Sequence, residues 1–135
     1  MRTWKVSLAS ACWILGGYGI WSSLALARAG AAAGIPQLEA AGAAELTAAL
    51  AWVLTGCAAV WTLSASAVLS FANALWSASL AWYYQDETVW LWCGACALLG
   101  ALAATGAWRG KKRRRSAKPP IPRGVPSAAG QRSSR

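Results

Sequence analysis

The longest uncharged run in this chain covers residues 46–85 and is strongly apolar. At about 1.5 Å per residue, one helix of that length would reach roughly 60 Å. The hydrocarbon core of a bilayer is only about 30 Å thick, so a run of this kind has to cross it twice. We therefore predict two spanning helices at residues 46–62 and 67–84, joined by a tight turn of small residues at positions 63–66.

Two further uncharged runs, at residues 6–27 and 88–108, lie on either side of this long one. Each has about the length that one membrane crossing requires. The predicted fold class is thus all-α integral membrane, a compact four-helix transmembrane bundle within residues 1–109. Residues 28–45, rich in Ala and Gly, are predicted as an outer loop in which Pro36 is placed to begin a short helix.

The distribution of charge predicts the topology. Most of the thirteen basic residues follow Trp108, and Arg2 and Lys5 precede the first span. Basic residues that flank spans stay on the cytoplasmic side, so both termini are expected to be cytoplasmic, which requires an even number of crossings. Three crossings would export one basic end. Four crossings place all the acidic residues on the outer face: Glu39, Glu45, Asp86 and Glu87.

The first 27 residues allow a second topology. Arg2 and Lys5, the apolar run after them and the small residues at positions 25–27 also resemble a cleaved signal peptide. The apolar run is longer than the usual signal core of 7–15 residues, which favours a retained helix. Cleavage would leave three spans with the amino end outside, and the charge distribution leaves this alternative open.

Small and weakly polar residues recur at three- and four-residue spacing in all four predicted spans. Helices in lipid pack through such faces, because small residues let the backbones approach closely. Asn73 is the one strongly polar side chain deep in a span, and we expect it to face the interior and bond to Ser77 or Thr55. The predicted packing residues are Gly16, Gly19, Thr55, Ser70, Asn73, Ser77 and Gly100.

One motif carries redox chemistry. Cys93 and Cys96 form a Trp-Cys-Gly-Ala-Cys string that resembles the Cys-x-x-Cys motif of thioredoxins. The string is also similar to the vitamin K epoxide reductases, four-helix membrane proteins whose Cys-x-x-Cys opens the last span at the outer face. That resemblance implies a second cysteine pair in the first outer loop, and residues 28–45 contain none. The competing interpretation makes both cysteines small packing residues.

A second resemblance covers more of the chain. Its strongest stretch runs from Ala74 to Ala81 and continues through Val89-Trp90-Leu91-Trp92, after an outer segment that ends in Glu45-Leu46-Thr47. With the order of the spans and the basic end, this resembles the transmembrane protein 107 family of ciliary membranes. The resemblance implies a four-span, non-enzymatic component of the ciliary transition zone.

The basic tail, residues 110–135, turns to Lys, Arg, Pro, Ser and Gly, a composition that predicts disorder. Its cluster beside the last span predicts attraction to anionic lipid headgroups. The bilayer is the nearer polyanion, so no nucleic acid partner is expected. The predicted headgroup residues are Lys111, Lys112, Arg113, Arg114 and Arg115.

A chain of 135 residues with most of its apolar content in spans has no room for a soluble catalytic domain. We therefore expect a non-enzymatic, multi-pass membrane protein that acts as a scaffold or assembly component beside other membrane proteins. No cofactor and no metal ligand set is expected. The ciliary membrane is the location that the second resemblance implies, and the alternative function is a thiol-disulfide oxidoreductase that uses Cys93 and Cys96.

Overall fold

A computed structural model describes residues 2–116 of the chain, without the side chains of Arg114 and Arg115. Its four helices are α1 (Arg2–Ala33), α2 (Pro36–Trp61), α3 (Leu63–Tyr84) and α4 (Glu87–Ser116). All four are long and apolar enough to cross a membrane. The prediction of an all-α fold with four helices of spanning length is confirmed for the described residues.

The structure corrects the outer loop predicted at residues 28–45. Helix α1 continues to Ala33 and α2 begins at Pro36, so only Gly34 and Ile35 separate them. Alanine has the highest helix propensity, and a proline at the first helical position suits a helix start. Gly34 makes the reversal because it takes a positive φ of 66°, which glycine adopts without strain.

The connection between α2 and α3 is also shorter than predicted. Thr62 alone separates the two helices, and residues 63–66, predicted as the turn, form the first turn of α3. Thr62 has an extended backbone (φ −138°, ψ 123°), and its hydroxyl accepts a hydrogen bond from the Ala65 amide. Its own amide donates to the Ala58 carbonyl at 2.7 Å. One threonine therefore ends α2 and caps α3.

Helix α4 begins at a capped turn and runs further than predicted. Asp86 accepts hydrogen bonds from both the amide and the hydroxyl of Thr88, at 2.8 and 2.7 Å. The helix then continues past Gly110 to Ser116, so the first part of the predicted disordered tail is helical. The remainder of that tail, residues 117–135, lies outside the described residues.

The helices pack in chain order. Helix α1 lies closest to α2, α3 packs against α4 and α2 against α3, while the backbones of α1 and α4 make few contacts. Both described ends of the chain lie at one end of the bundle, where Trp4 of α1 lies beside Gly106 of α4. We call this the basic end, and the opposite end, where Glu45 lies near Asp86, the acidic end.

The first two helices extend beyond the other two at the acidic end. Ala44 packs against the buried cluster of Leu80, Ala81 and Val89, which lies about one helical turn before the connection between α3 and α4. Helix α2 begins eight residues earlier, at Pro36, so it reaches roughly 6 Å past that connection. We call residues 28–43, the paired ends of α1 and α2, the projecting hairpin.

Candidate functional site

Two predicted packing residues of α1, Gly16 and Gly19, lie directly against α2. A Cβ atom on Gly16 would lie 2.8 Å from Val53 Cγ2 and 3.1 Å from the Ala49 carbonyl oxygen. A Cβ atom on Gly19 would lie 2.9 Å from Ala49 Cβ. Atoms at these distances overlap, so the two helices approach as closely as glycine permits.

The same close approach continues into the projecting hairpin. A Cβ atom on Gly42 would lie 2.6 Å from the backbone nitrogen of Ala27, and one on Gly30 would lie 2.5 Å from that of Glu39. Main chain therefore touches main chain where the sequence analysis placed a loop. We call the contact between α1 and α2 the glycine seam.

Small residues recur at seven-residue intervals on both sides of the glycine seam. Gly30, Gly42 and Gly56 were not among the predicted packing residues, and this seven-residue period is the sequence signal that would have indicated them. A seven-residue repeat over several turns is typical of helices that wrap around each other with a left-handed twist. The members of the repeat are Ala9, Gly16, Ser23 and Gly30 on α1, and Gly42, Ala49 and Gly56 on α2.

The polar residues predicted on α3 are buried, but their partners differ from the prediction. Asn73 donates from Nδ2 to the Ala48 carbonyl of α2 at 3.1 Å, not to Ser77 or Thr55. Thr55 donates instead to the Ala51 carbonyl of its own helix at 2.7 Å. Helices α2 and α3 lie close enough for the Asn73 side-chain amide to reach a main-chain carbonyl of α2.

Four buried oxygen atoms on α3 have no hydrogen-bond partner: Oγ of Ser66, Ser70 and Ser77, and Oδ1 of Asn73. Ser70 faces Gly100 of α4, where an added Cβ atom would lie 3.1 Å from Ser70 Cβ. Ser77 lines a cavity of about 30 Å³ near the acidic end, with Ser23 and Glu45 on its other walls. This cavity has room for a water molecule that would pair the serine hydroxyls.

Glu45 is the ionisable group at this cavity, and it lies just outside the uncharged run of residues 46–85. Its side chain is half-buried. Burial raises the pKa of the Glu45 carboxyl above its ordinary value, and the negative charge of Asp86 raises it further. Glu45 therefore takes up a proton more readily in the folded protein than in the unfolded chain.

The two cysteines of the Cys-x-x-Cys string differ in access. Cys96 is fully buried in a cluster with Cys12, Trp52 and Ala74, whereas Cys93 is partly exposed. Both are free thiols in the structure. Thiol exchange needs a sulfur atom that a partner can reach, and of these two cysteines Cys93 offers the more accessible one.

Large side chains contribute to the contact between α1 and α4, whose backbones make few contacts. Tyr18 of α1 stacks on Trp92 of α4, with 5.9 Å between ring centroids and 24° between ring planes. Beside this stack lies an open groove of about 550 Å³, which Glu45 and Asp86 also line. We call this contact the aromatic seam.

At the basic end, Lys5 ties α1 to the end of α2. Its ammonium group donates to the carbonyl oxygens of Val60 and Trp61, at 3.2 and 2.6 Å. These carbonyls belong to the last turn of α2 and have no partner within the helix, so a lysine there satisfies them. From the sequence, Lys5 is predicted only as a topological signal, so this helix-capping contact is an additional role.

The predicted headgroup residues continue α4 at the same end. Lys111, Lys112 and Arg113 are exposed, and the Lys112 ammonium lies 5.9 Å from the ring centroid of Trp108. Arg114 and Arg115 belong to α4, but their side chains lie outside the described part of the chain. The three described cations therefore project from a helix rather than from a disordered segment.

Four helices of spanning length in antiparallel order are the build of a multi-pass membrane protein. The chain has no match among protein-family models, curated proteins or solved structures.

Proposed function

We propose that the chain is a non-enzymatic membrane scaffold that contacts other membrane proteins through its projecting hairpin. The observation that carries this proposal is the backbone contact that stiffens residues 28–43, whose tip extends past the ends of α3 and α4. A helix pair that touches along its main chain cannot flex independently. It therefore presents a fixed surface outside the membrane.

The small interior space supports the same proposal. The cavity between Ser23, Glu45 and Ser77 measures about 30 Å³, whereas ligand-binding pockets usually measure about 300–1,000 Å³. A cavity of this size holds water rather than a substrate. The contacts that such a bundle offers to other molecules are then on its outside.

The ciliary transition zone is the proposed location, and it rests on the resemblance to the transmembrane protein 107 family. In this proposal both termini face the cytoplasm and the projecting hairpin faces the outside. The separation of charge supports that orientation, because Lys5 and Lys111–Arg113 lie at one end and the four acidic residues at or beyond the other.

A comparison of two variants in ciliated cells tests the scaffold. Ile35, at the tip of the projecting hairpin, is 45% exposed, and Ile35→Asp adds a charge without touching either seam. Gln85→Asp is the matched control, since Gln85 is exposed at the same end of the bundle but lies outside the hairpin.

Each tagged variant is purified in mild detergent, and the proteins that co-purify are identified. We expect the wild type and Gln85→Asp to retain ciliary membrane proteins that Ile35→Asp loses. If the same proteins co-purified with the wild type and both variants, a role for the hairpin would be contradicted. An absence of ciliary proteins from the wild-type sample would contradict the location.

Orientation has an independent test. A reporter fused at Ser64, beside the turn between α2 and α3, should read as cytoplasmic in the proposed topology. A lumenal signal at Ser64 would refute that topology. The same reporter at Gln37, in the projecting hairpin, should read as lumenal or extracellular.

The oxidoreductase alternative stays a prediction with its own experiment. A Cys96→Ala variant would leave Cys93, the partly exposed thiol, free to hold a partner in a mixed disulfide. A trapped partner would favour the redox function over the scaffold. Thiols that stay reduced in an oxidising compartment would count against it.

A further inference from the structure

A groove of about 480 Å³ opens at the basic end between three helices. Trp4 of α1 and Leu63 of α3 form its apolar walls, and α4 supplies the rest. Its volume falls in the range of ligand-binding sites, unlike the small cavity at the acidic end. We call it the basic groove; the residues of α4 that line it are Gly106, Arg109, Lys112 and Arg113.

The spacing of these α4 residues puts three cations on one face of the helix. Arg109 follows Gly106 by three residues, and Lys112 and Arg113 follow Arg109 by three and four. Residues at such intervals are neighbours on a helix surface. Gly106 forms the floor, because a Cβ atom there would lie 2.6 Å from Nε1 of Trp4.

The chain supplies no side-chain counter-ion for these three cations. Its only acidic residues are Glu39, Glu45, Asp86 and Glu87, and all four lie at the acidic end or in the projecting hairpin. Three like charges on one helix face repel each other unless an anion lies among them. An anion from outside the described residues would relieve this repulsion.

The walls of the basic groove indicate which anion it is. Trp4 and Leu63 are apolar, and tryptophan is typical of the level at which lipid headgroups meet hydrocarbon. Arginine offers a planar fork of donors that matches the oxygens of a phosphate group. We propose that the basic groove binds the phosphate headgroup of one anionic phospholipid, with Arg109, Lys112 and Arg113 around the phosphate.

Lys111 provides a matched control for this site. It lies one residue from Lys112, but it lines an adjoining groove with Trp61 and Trp108. That groove shares Leu63 and Gly106 with the basic groove. Lys111→Gln and Lys112→Gln change the net charge equally. A general attraction of the basic helix to an anionic surface treats both alike, whereas a discrete site distinguishes them.

The experiment uses the full chain in mixed vesicles of phosphatidylglycerol and phosphatidylcholine, with the lipids that stay bound after extraction counted by native mass spectrometry. The wild type should retain one phosphatidylglycerol in preference to phosphatidylcholine. Lys112→Gln and Arg113→Gln should each lower that preference about tenfold, the effect of losing one hydrogen bond to a charged phosphate group. Lys111→Gln should lower it less than twofold, and thermal unfolding checks that each variant is folded.

Two results would overturn the proposal. Equal losses in Lys111→Gln and Lys112→Gln would mean diffuse attraction rather than a site. Displacement of phosphatidylglycerol by an equal concentration of inorganic phosphate would mean that the groove binds a free anion and not a lipid. The proposal does not depend on the scaffold function, since the lipid measurement involves no protein partner.

Discussion

The glycine seam is a contact between backbones, whereas the aromatic seam is a contact between large side chains. In the glycine seam the backbones of α1 and α2 touch, and a Cβ atom on Gly42 would lie 2.6 Å from the Ala27 nitrogen. In the aromatic seam, α1 and α4 are held apart by Tyr18 and Trp92. Backbone contact leaves little space between helices, whereas contact through large side chains leaves a groove beside them.

This difference explains which helix contacts have grooves beside them and which do not. Grooves of about 480 and 550 Å³ flank α1 and α4 at the two ends of the bundle. The glycine seam instead continues unbroken into the projecting hairpin. The same helix, α1, thus presents a rigid contact on one side and an accessible one on the other.

The largest expected effect comes from adding a side chain to the glycine seam. Gly42→Leu forces its Cβ atom against the main chain of α1, which cannot move without separating the helices. We expect a loss of more than about 3 kcal/mol in the free energy of unfolding, beyond the usual range of overpacking, because the clash involves backbone. Thermal unfolding in detergent and the yield of monodisperse protein measure it.

Gly17→Leu is the control, because an added Cβ atom there meets nothing within 4 Å. We expect its unfolding temperature to change little, as is usual for exposed positions. If Gly17→Leu and Gly42→Leu unfolded alike, general helix propensity rather than the seam would be the cause.

A smaller effect is expected from Trp92→Ala, which removes one half of the aromatic seam. The stack with Tyr18 and the packing of Trp92 over the Cys12 and Trp52 cluster would both be lost. We expect a loss of about 2 kcal/mol, less than for a fully buried tryptophan, because Trp92 is partly exposed. Trp90→Ala, at a half-exposed position on the same helix, should cost less; an equal loss would argue against the seam.

The sequence predicted the number of helices, because each uncharged run fits the membrane thickness. It could not predict where α1 ends, since an Ala-rich segment such as residues 28–45 is helical only if something packs against it. Gly30 and Gly42 provide that packing across the seam. The seven-residue repeat that includes Gly30 was the available signal.

The contacts of the functional residues were harder to predict from the sequence than the helices, because these contacts depend on distances between helices. Asn73 was recognisable as an interior residue, but its acceptor is the Ala48 carbonyl, and main-chain groups have no signature in a sequence. The basic residues of α4 were recognisable as a cluster. Their division between two grooves follows from helix orientation, which residue type does not reveal.

The contact between α2 and α3 differs from both seams, because it includes a hydrogen bond from a side chain to the main chain. Asn73→Leu removes the hydrogen bond from Nδ2 to the Ala48 carbonyl and also the unpaired Oδ1 atom. Hydrogen bonds between membrane helices contribute about 0.6 kcal/mol on average. We expect a loss of about 1 kcal/mol or less in the free energy of unfolding, and a loss above 3 kcal/mol would mean that Asn73 organises the bundle.

The smallest expected effect concerns Glu45, which lies where the glycine and aromatic seams meet at the acidic end. Burial and the charge of Asp86 raise the pKa of the Glu45 carboxyl, so the folded protein binds its proton more tightly than the unfolded chain does. Stability from this group is present below the ordinary pKa of 4.5 and is lost as the pH rises through the raised value.

Glu45→Gln should remove this dependence and make the protein slightly more stable than the wild type at pH 7, with no difference near pH 4. The gain should stay below about 1 kcal/mol, because the side chain is partly exposed and solvent screens its charge. Glu39→Gln, at an exposed position on the same helix, is the control for the loss of one negative charge. The test is the unfolding temperature of each variant, measured from pH 4 to pH 8. If the unfolding temperatures of Glu45→Gln and Glu39→Gln changed with pH in the same way, the position of Glu45 between the two seams would not destabilise its charged form.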